Sequence, residues 1–214
     1  MGGGWIRSGT MKIIDCHTHD TSRQNAIISV APGYSFVSGK IYSVGIHPWS
    51  VSDDDEEIMS RLVADVRHPS VVAIGEVGID KLRGCDLRLQ KNRLEQQLDI
   101  ARDAGKPVIF HVVKAFQELV ELNKRMHPSE PWIIHGFRGK PQLAKELLKF
   151  GFYLSFGEHF NSDTVAMMSV DRVLVETDES FLTIEEIASK LPRLDMALPY
   201  HLFRLSVADT SFCP

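Results

Sequence analysis

The sequence predicts an α/β fold, a TIM-type (β/α)8 barrel in which eight parallel strands close and helices pack outside. Short apolar runs rich in β-branched residues alternate with segments of helical period along the 214 residues, which is typical of a parallel sheet. Eight such runs occur, the number of strands in this barrel. Histidines and acidic residues fall toward the C-terminal ends of these runs, where parallel barrels build their sites.

The predicted strands and helices follow from composition and from the residues that mark turns and helix boundaries. The predicted strands span residues 12–19, 26–30, 41–48, 71–79, 107–113, 131–137, 151–157 and 172–178. Ser52 begins an acidic turn that predicts a helix start. Thr183 and Glu186 have the spacing of a capping box. Pro199 interrupts the last helical segment, so we expect a short C-terminal helix.

One connection is too short for a complete barrel. Only a handful of residues separate His19 from the second predicted strand, whereas a crossover helix needs a dozen or more. We therefore expect a trimmed barrel in which the helix after strand one is missing. We also expect residues 1–10, which are rich in glycine, to form a flexible extension, and residues 11–214 to form a single domain.

Composition and charge limit the classes of function. The formal net charge is -4 and the isoelectric point is about 6.1, so any nucleic-acid binding must depend on a local site rather than on a basic surface. No apolar run approaches the roughly 20 residues of a membrane helix. Three cysteines without a C-x-x-C pair favour a reducing compartment. We expect a cytoplasmic protein with no membrane contact, and no protein partner is inferred.

The segment IIDCHTHD ends the first predicted strand with two histidines one residue apart. Side chains alternate between the faces of a strand, so His17 and His19 should point to one side, and Cys16 and Thr18 to the other. Such a pair is either a pair of metal ligands or a chance spacing, and the remaining strands decide between these interpretations.

Ionisable residues occur at equivalent positions near the ends of six predicted strands. They are His17, His19, His47, Glu76, His111, His135 and Asp178. Taken singly, the histidines of the fifth and sixth strands could be hydrogen-bonded core residues. Together, four histidines and two carboxylates at one mouth suit Zn²⁺, Mn²⁺ or a similar ion. Six ligands exceed the needs of one tetrahedral zinc, so two ions sharing a carboxylate are the natural alternative.

The ordered motifs resemble those of a known family. DCHTHD, GIHPW, GEVGID, QLDIARDAGKPVIFHVVKA, HGFRGKPQLAKELLKFGFYLSFG and ETDES, in this order over residues 12–182, resemble the TatD family of metal-dependent deoxyribonucleases in the amidohydrolase superfamily. The resemblance implies two divalent ions (Zn, Mn, Mg, Ni or Co). It also implies a set of metal ligands: His17 and His19 on one ion, Glu76 bridging, His111 and His135 on the other, and Asp178 beside the attacking water.

The motifs depart from the family pattern on the rim. Arg138 in HGFRG stands where the family usually has a small polar residue, and Lys114 in HVVKA is the basic residue after the fifth strand. Both could bind a substrate phosphate or be solvated loop charges. His47 could donate to the phosphate or pack beside Trp49.

These residues favour a hydrolase of phosphoester bonds, with Asp178 and Glu76 as catalytic residues and His47, Lys114 and Arg138 as substrate-binding residues. The resemblance implies a deoxyribonuclease or phosphodiesterase that uses a metal-activated water on DNA ends or small nucleotides. Two alternatives stay open. The same ligand set can hydrolyse an ester, lactone or amide, and a metal-binding protein can serve as a non-catalytic scaffold.

Overall fold

A single sheet of eight strands organises the computed structural model, which describes residues 12–205. Neighbouring strands pair in parallel in chain order. The strands are β1 (Asp15–Thr18), β2 (Ala26–Val30), β3 (Ile41–Val44), β4 (Val71–Asp80), β5 (Val108–Val113), β6 (Trp132–Ile134), β7 (Tyr153–Phe156) and β8 (Val173–Val175). The predicted extension 1–10 lies outside the described residues.

The last strand returns to the first and closes the barrel. The N–H of Asp178 donates to the carbonyl of His17 at 2.9 Å, and the N–H of His19 donates to the carbonyl of Asp178 at 3.4 Å. The predicted TIM-type fold is therefore confirmed. Closure also brings the two ends of the chain's site motifs, DCHTHD and ETDES, into direct backbone contact.

Helices cover most of the outer surface. They are α1 (Glu56–Asp65), α2 (Leu87–Ala104), α3 (Phe116–Met126), α4 (Pro141–Lys149), α5 (Ser162–Met167), α6 (Ile184–Ala188) and α7 (Leu198–Leu202), with 3-10 turns at Pro48–Ser50 and Val170–Arg172. None of the helices among the described residues is long and apolar enough to cross a membrane.

Helix boundaries agree only partly with the sequence. The capping box of Thr183 and Glu186 opens α6 as predicted. The predicted start at Ser52 is wrong: Ser52 donates from its N–H and hydroxyl to Asp55, and α1 begins after that turn. Pro199 does not interrupt α7 but lies in its first turn, where a missing N–H costs no helical bond.

Two crossover helices are absent from the described residues, one more than predicted. Residues 19–25 connect β1 to β2 without a helix, as expected, and residues 31–40 connect β2 to β3 without one as well. In this second loop, Tyr34 and Phe36 lie against Tyr42 at ring distances of 5.5 and 5.2 Å. Since Tyr42 is fully buried, two aromatic side chains cover the strand where a helix usually does.

The barrel interior and its outer layer form separate apolar clusters. The interior cluster contains strand residues such as Ile109, Ile133 and Leu174, together with Tyr200 and Phe203 around α7. The hydroxyl of Tyr200 donates to the carbonyl of Lys12, at the start of the described chain. The C-terminal helix thus closes the barrel opposite the strand ends that carry the ionisable residues.

A layer of ionisable side chains lies above this interior cluster. Three of them, His111, His135 and Glu176, each follow by two positions an interior apolar residue of β5, β6 or β8, so they point to the same side of the sheet. In β4 the offset from Ala73 to Glu76 is three, because the register shifts between Ile74 and Val77. An extra residue in β4 therefore turns Glu76 inward.

Candidate metal centre

The alternation expected along β1 is broken by a bulge. Three steps from Asp15 to Thr18 oppose two steps in β2, so one residue is added. Cys16, predicted to point away from the histidines, packs into the interior cluster. His17 and His19 still share one side, since the Nε2 atoms of both lie close to Glu76 Oε2.

Glycines let β4 approach β5 around Glu76. A Cβ atom on Gly78 would lie 1.8 Å from the carbonyl oxygen of His111, and one on Gly75 would lie 2.8 Å from Cβ of Ile109. Any side chain at either position would push the strands apart. The motif GEVGID therefore sets the distance between Glu76 and the histidine on the neighbouring strand.

Glu76 lies at the centre of the mouth, with its two oxygens facing different histidines. Its Oε2 is 3.3 Å from His17 Nε2 and 3.0 Å from His19 Nε2. Its Oε1 is 2.7 Å from both His111 Nδ1 and His135 Nε2. The carboxylate is only 3% exposed, and it connects the two pairs of histidines.

Asp178 completes the first of these pairs. Its Oδ1 lies 3.7 Å from the Nε2 atoms of both His17 and His19. The residue lies just beyond β8 rather than within it, with φ at 52°, a left-handed conformation that Asp and Asn adopt more readily than most residues. The carboxylate is about a third exposed, at 31%, so solvent can reach it.

Two further carboxylates contact the second pair of histidines on the ring nitrogens that face away from Glu76. Asp80 Oδ2 lies 3.3 Å from His111 Nε2, and Glu176 Oε1 lies 3.3 Å from His135 Nδ1. Sequence reasoning missed both residues, although Asp80 ends GEVGID and Glu176 is the acid of ETDES. A neutral imidazole that donates its outer N–H to these acids turns a lone pair toward Glu76. This arrangement is common around protein metal ions.

The spacing of the side chains fits a cation. Ligands bound about 2.0 to 2.2 Å from one ion lie roughly 3.3 to 3.6 Å apart. The Nε2 atoms of His17 and His19 lie at nearly this spacing from Glu76 Oε2 and Asp178 Oδ1, between 3.0 and 3.7 Å. Glu76 Oε1 lies closer to the second pair, at 2.7 Å from both His111 Nδ1 and His135 Nε2.

Unpaired nitrogens and charge also favour a cation. Both ring nitrogens of the fully buried His17 form no hydrogen bond with any described residue. Burial raises the pKa of Glu76, but the charge of His135 and hydrogen bonds from His111 and His135 outweigh it and hold that pKa well below its usual range. Burial lowers the pKa of His135, whereas Glu76 and Glu176 raise it well above its usual range. The centre therefore carries a negative charge that stabilises positive charge on its imidazoles.

Every predicted ligand falls within a compact group. Three groups have ligand atoms within 4.8 Å of one another: His17, His19 and Glu76; His17, His135 and Asp178; His47, Glu76 and His111. These groups contain all six predicted ligands, and His47 in addition. They could hold a metal ion, as the sequence indicated.

His47 differs from the other histidines in its hydrogen bonds. Its Nε2 lies 3.2 Å from Glu76 Oε1, but its Nδ1 accepts from the N–H of Trp49 at 3.2 Å. A neutral imidazole that accepts at Nδ1 carries its hydrogen on Nε2. His47 therefore presents a donor to the mouth rather than a lone pair, which suits a substrate oxygen better than an ion.

The two basic rim residues are placed differently. Exposed Arg138 lines a cleft of about 310 Å³ beside Asp178, together with His159 and Phe181. Exposed Lys114 follows β5, does not line this cleft, and forms no ion pair with any described residue. The structure thus brings Arg138, but not Lys114, to the same cleft as Asp178.

The chain is similar in sequence to curated bacterial proteins. The chain is 32% identical over 150 residues to the uncharacterized metal-dependent hydrolase YabD of Bacillus subtilis, covering 66% of this chain and 59% of that protein. It is 30% identical over 164 residues to the 3'-5' ssDNA/RNA exonuclease TatD of Cronobacter turicensis, covering 69% and 60%. The chain thus spans about 60% of the length of these curated relatives.

A solved structure and a family model complete the comparison. The fold is similar to the crystal structure of YJJV, a TatD homolog from Escherichia coli K12, with a TM-score of 0.69, 21% identity and coverage of 94% of this chain and 91% of that one. The family model described as TatD related DNase matches residues 6–195. The chain therefore belongs to the family of TatD-related DNases.

Proposed function

We propose that the chain is a metal-dependent phosphodiesterase of the nuclease type, acting on DNA ends or small nucleotides. The observation that carries the proposal is the position of Glu76, whose two oxygens face two separate pairs of histidines. A buried carboxylate shared in this way suits two ions on its two sides. The names of the relatives, a metal-dependent hydrolase and an exonuclease, support the same reaction class.

The chain's own residues divide into two sets of ligands. His17, His19 and Asp178 would hold one ion, His111 and His135 the other, and Glu76 both. When bound, such ions polarise the phosphoryl oxygen and lower the pKa of water toward about 7. Asp80 and Glu176 would hold the two histidines of the second set in the tautomer that leaves the inner nitrogen free.

Other side chains would act on the substrate and the attacking water. Asp178, partly exposed at the strand end, would orient the water and accept its proton. His47 would donate its Nε2–H to a phosphate oxygen, and Arg138 would contact a phosphate in the adjacent cleft. Lys114 does not line that cleft, so it would contact a phosphate only of a longer substrate that extends beyond the cleft.

Metal analysis combined with a substrate comparison tests this function. The purified protein would be loaded with Zn²⁺, Mn²⁺, Mg²⁺, Ni²⁺ or Co²⁺, and turnover of a phosphodiester oligonucleotide compared with turnover of an ester and a lactone. We expect turnover of the phosphodiester alone, lost on chelation. Faster ester or lactone turnover would favour carbonyl chemistry. Bound metal without any turnover would favour a non-catalytic scaffold.

A further inference from the structure

Two buried glutamines lie on the inward face of α2. Gln90 and Gln97 are each 1% exposed, and they share this face with the apolar residues Leu94, Leu98 and Ala101. They are seven residues apart, so their side chains leave the helix about 10 Å from one another along its axis. An apolar side chain would fill either position without the cost of removing an amide from water. Two amides on this face therefore need an explanation beyond packing.

Gln97 fixes the backbone of Ile46 by two hydrogen bonds. Its Oε1 accepts from the N–H of Ile46 at 2.7 Å, and its Nε2 donates to the carbonyl of Ile46 at 3.2 Å. The pairing of β3 with both neighbouring strands ends at Val44, so Ile46 lies beyond the paired part of its strand. The Gln97 amide thus makes the two bonds that a neighbouring strand would otherwise make. The next residue is His47, the proposed donor to a substrate oxygen.

Gln90 fixes the end of β4 in the same way. Its Oε1 accepts from the N–H of Asp80 at 2.9 Å, and its Nε2 donates to the carbonyl of Asp80 at 3.1 Å. The same Nε2 lies 3.0 Å from the carbonyls of Arg83 and Cys85, so Gln90 also binds the loop that follows the strand. Asp80 carries the carboxylate that contacts His111 Nε2. Gln90 therefore holds the backbone of the residue that orients this histidine.

We propose that Gln97 and Gln90 are positioning residues with separate roles at the mouth. Gln97 sets the position of His47, and thereby the contact with a substrate phosphate. Gln90 sets the position of Asp80, and thereby the affinity of the ion beside His111. This inference rests on the proposed function. Neither glutamine would contact an ion or the substrate, so each acts only through the residue whose position it sets.

The bonds from α2 differ from the bonds that the two site residues form at the mouth. There, the backbone N–H of Trp49 donates to His47 Nδ1 at 3.2 Å, and its indole N–H donates to Asp80 Oδ2 at 2.7 Å. These bonds set the side chains relative to one another. The bonds from α2 set the two backbones relative to the core, because Leu94 and Leu98 of this 18-residue helix pack in the apolar cluster of the outer layer. A fully bonded buried amide of this kind favours one rigid arrangement.

Metal affinity tests the role of Gln90 without any turnover. Gln90→Met removes the amide at a similar side-chain length. We expect it to weaken Zn²⁺ binding by about tenfold or more, measured by titration calorimetry on metal-free protein. In protein that already carries Asp80→Ala, the same change should weaken binding no further, because Gln90 acts through Asp80. An equal loss in both backgrounds, or no loss in either, overturns this role.

Kinetics test the role of Gln97. Gln97→Met should lower kcat/KM for a short oligonucleotide at saturating metal by about tenfold or more, since a small displacement of a group that contacts the substrate is costly. It should leave Zn²⁺ affinity unchanged, whereas Gln90→Met should leave kcat/KM at saturating metal nearly unchanged. In protein that already carries His47→Ala, Gln97→Met should cause no further loss. An equal loss of kcat/KM with and without His47, or no loss in either, overturns this role.

Matched variants separate positioning from a general structural role. Gln96→Met, at an exposed position of the same helix where the side chain bonds to Arg93 instead of a loop, should behave like wild type in both measurements. A Met variant that does not fold would be replaced by the Asn variant, which keeps the amide but is one methylene too short to reach the loop backbone. A loss of both affinity and kcat/KM in each variant would indicate a structural role and overturn the proposal.

The two measurements also distinguish this inference from the proposed function. If wild type cleaves no phosphodiester, the proposed function fails, and the Zn²⁺ affinities of Gln90→Met and Asp80→Ala still test the role of Gln90. If wild type cleaves the oligonucleotide but the two variants do not differ in the expected way, the positioning roles are wrong and the phosphodiesterase stands.

Discussion

At the scale of a single residue, Asp178 is the base that we propose for the attacking water. It lies 3.7 Å from two histidine nitrogens and is partly exposed, so it can contact both an ion and the attacking water. We predict that Asp178→Asn folds, since Asn tolerates the left-handed backbone, and that it keeps metal beside His111 and His135. Its turnover at pH 7 should fall by about 10² to 10⁴, measured with an oligonucleotide substrate.

Glu76→Gln is the matched comparison for Asp178→Asn. The carboxylate faces all four predicted histidine ligands, so loss of its charge should reduce both metal content and turnover. If Asp178→Asn works at nearly the wild-type rate with normal metal content, Asp178 is not the base, and the water must be activated by the ions alone or by another residue.

A substitution at Asp80 tests the role of the acids that contact the outer ring nitrogens of His111 and His135. It contacts His111 Nε2 at 3.3 Å and accepts from Trp49 at 2.7 Å. Asp80→Asn should weaken metal affinity by about 10- to 100-fold, measured by titration calorimetry on metal-free protein. Asp99→Asn, an exposed position on α2, should leave the affinity unchanged. Equal affinities in both variants would contradict an orienting role for Asp80.

Individual ligand residues were predictable where only a few residue types can satisfy the chemistry of a position. The six candidate ligands converge because a buried ionisable group at a strand end needs a partner, and the sequence contains the partners at matching positions. Asp80 and Glu176 were missed because another acid of the same motif had already been assigned as a ligand. Those acids are Glu76 in GEVGID and Asp178 in ETDES. Only the structure reveals the second acid behind each histidine, since that relation depends on the direction of the side chain.

At the level of elements, bulges limit what periodicity can predict. The added residues in β1 and β4 change which side chains face inward, and alternation cannot locate them. The absence of a helix from the loop between β2 and β3 was not predicted. Pro32 and Gly33 begin that loop, and two aromatic side chains cover the strand instead.

The close approach of β4 and β5 gives a prediction for these elements. A Cβ on Gly78 would meet the backbone of His111 at 1.8 Å, and a backbone atom cannot move aside as a side chain can. Gly78→Ala should therefore destabilise the fold by about 3 kcal/mol or more, the upper range of overpacking costs, in urea denaturation. Gly157→Ala, where the nearest atoms lie 3.7 Å away, is the control. Equal stability of both variants would contradict the close approach of these two strands.

The whole molecule combines a family fold with a short chain. Eight strands close into a barrel although two crossover helices are absent from the described residues, and the chain spans about 60% of its curated relatives. The fold class was predictable because it depends on the number and order of the strands. The apolar runs and the residues that mark turns and helix boundaries reveal both. The substrate was not, because the rim is where this sequence departs from the family motifs.

The overall charge predicts how nucleic acid should bind. With a net charge of -4, most of the positive charge available to a substrate comes from the ions and Arg138. Chelation should therefore weaken binding of a short single strand by about tenfold or more, measured by fluorescence anisotropy, and binding should depend only weakly on salt. Tight binding of long duplex DNA by chelated protein would contradict a local site.

The position of bound metal tests the central claim most directly. Crystals of the protein loaded with Mn²⁺ or Zn²⁺ would be measured by anomalous diffraction, which locates each ion independently of activity. We predict two peaks on the two sides of Glu76, about 3.5 to 4 Å apart, one beside His17, His19 and Asp178 and the other beside His111 and His135. A mouth without any anomalous peak, or ions bound away from Glu76, would contradict the account.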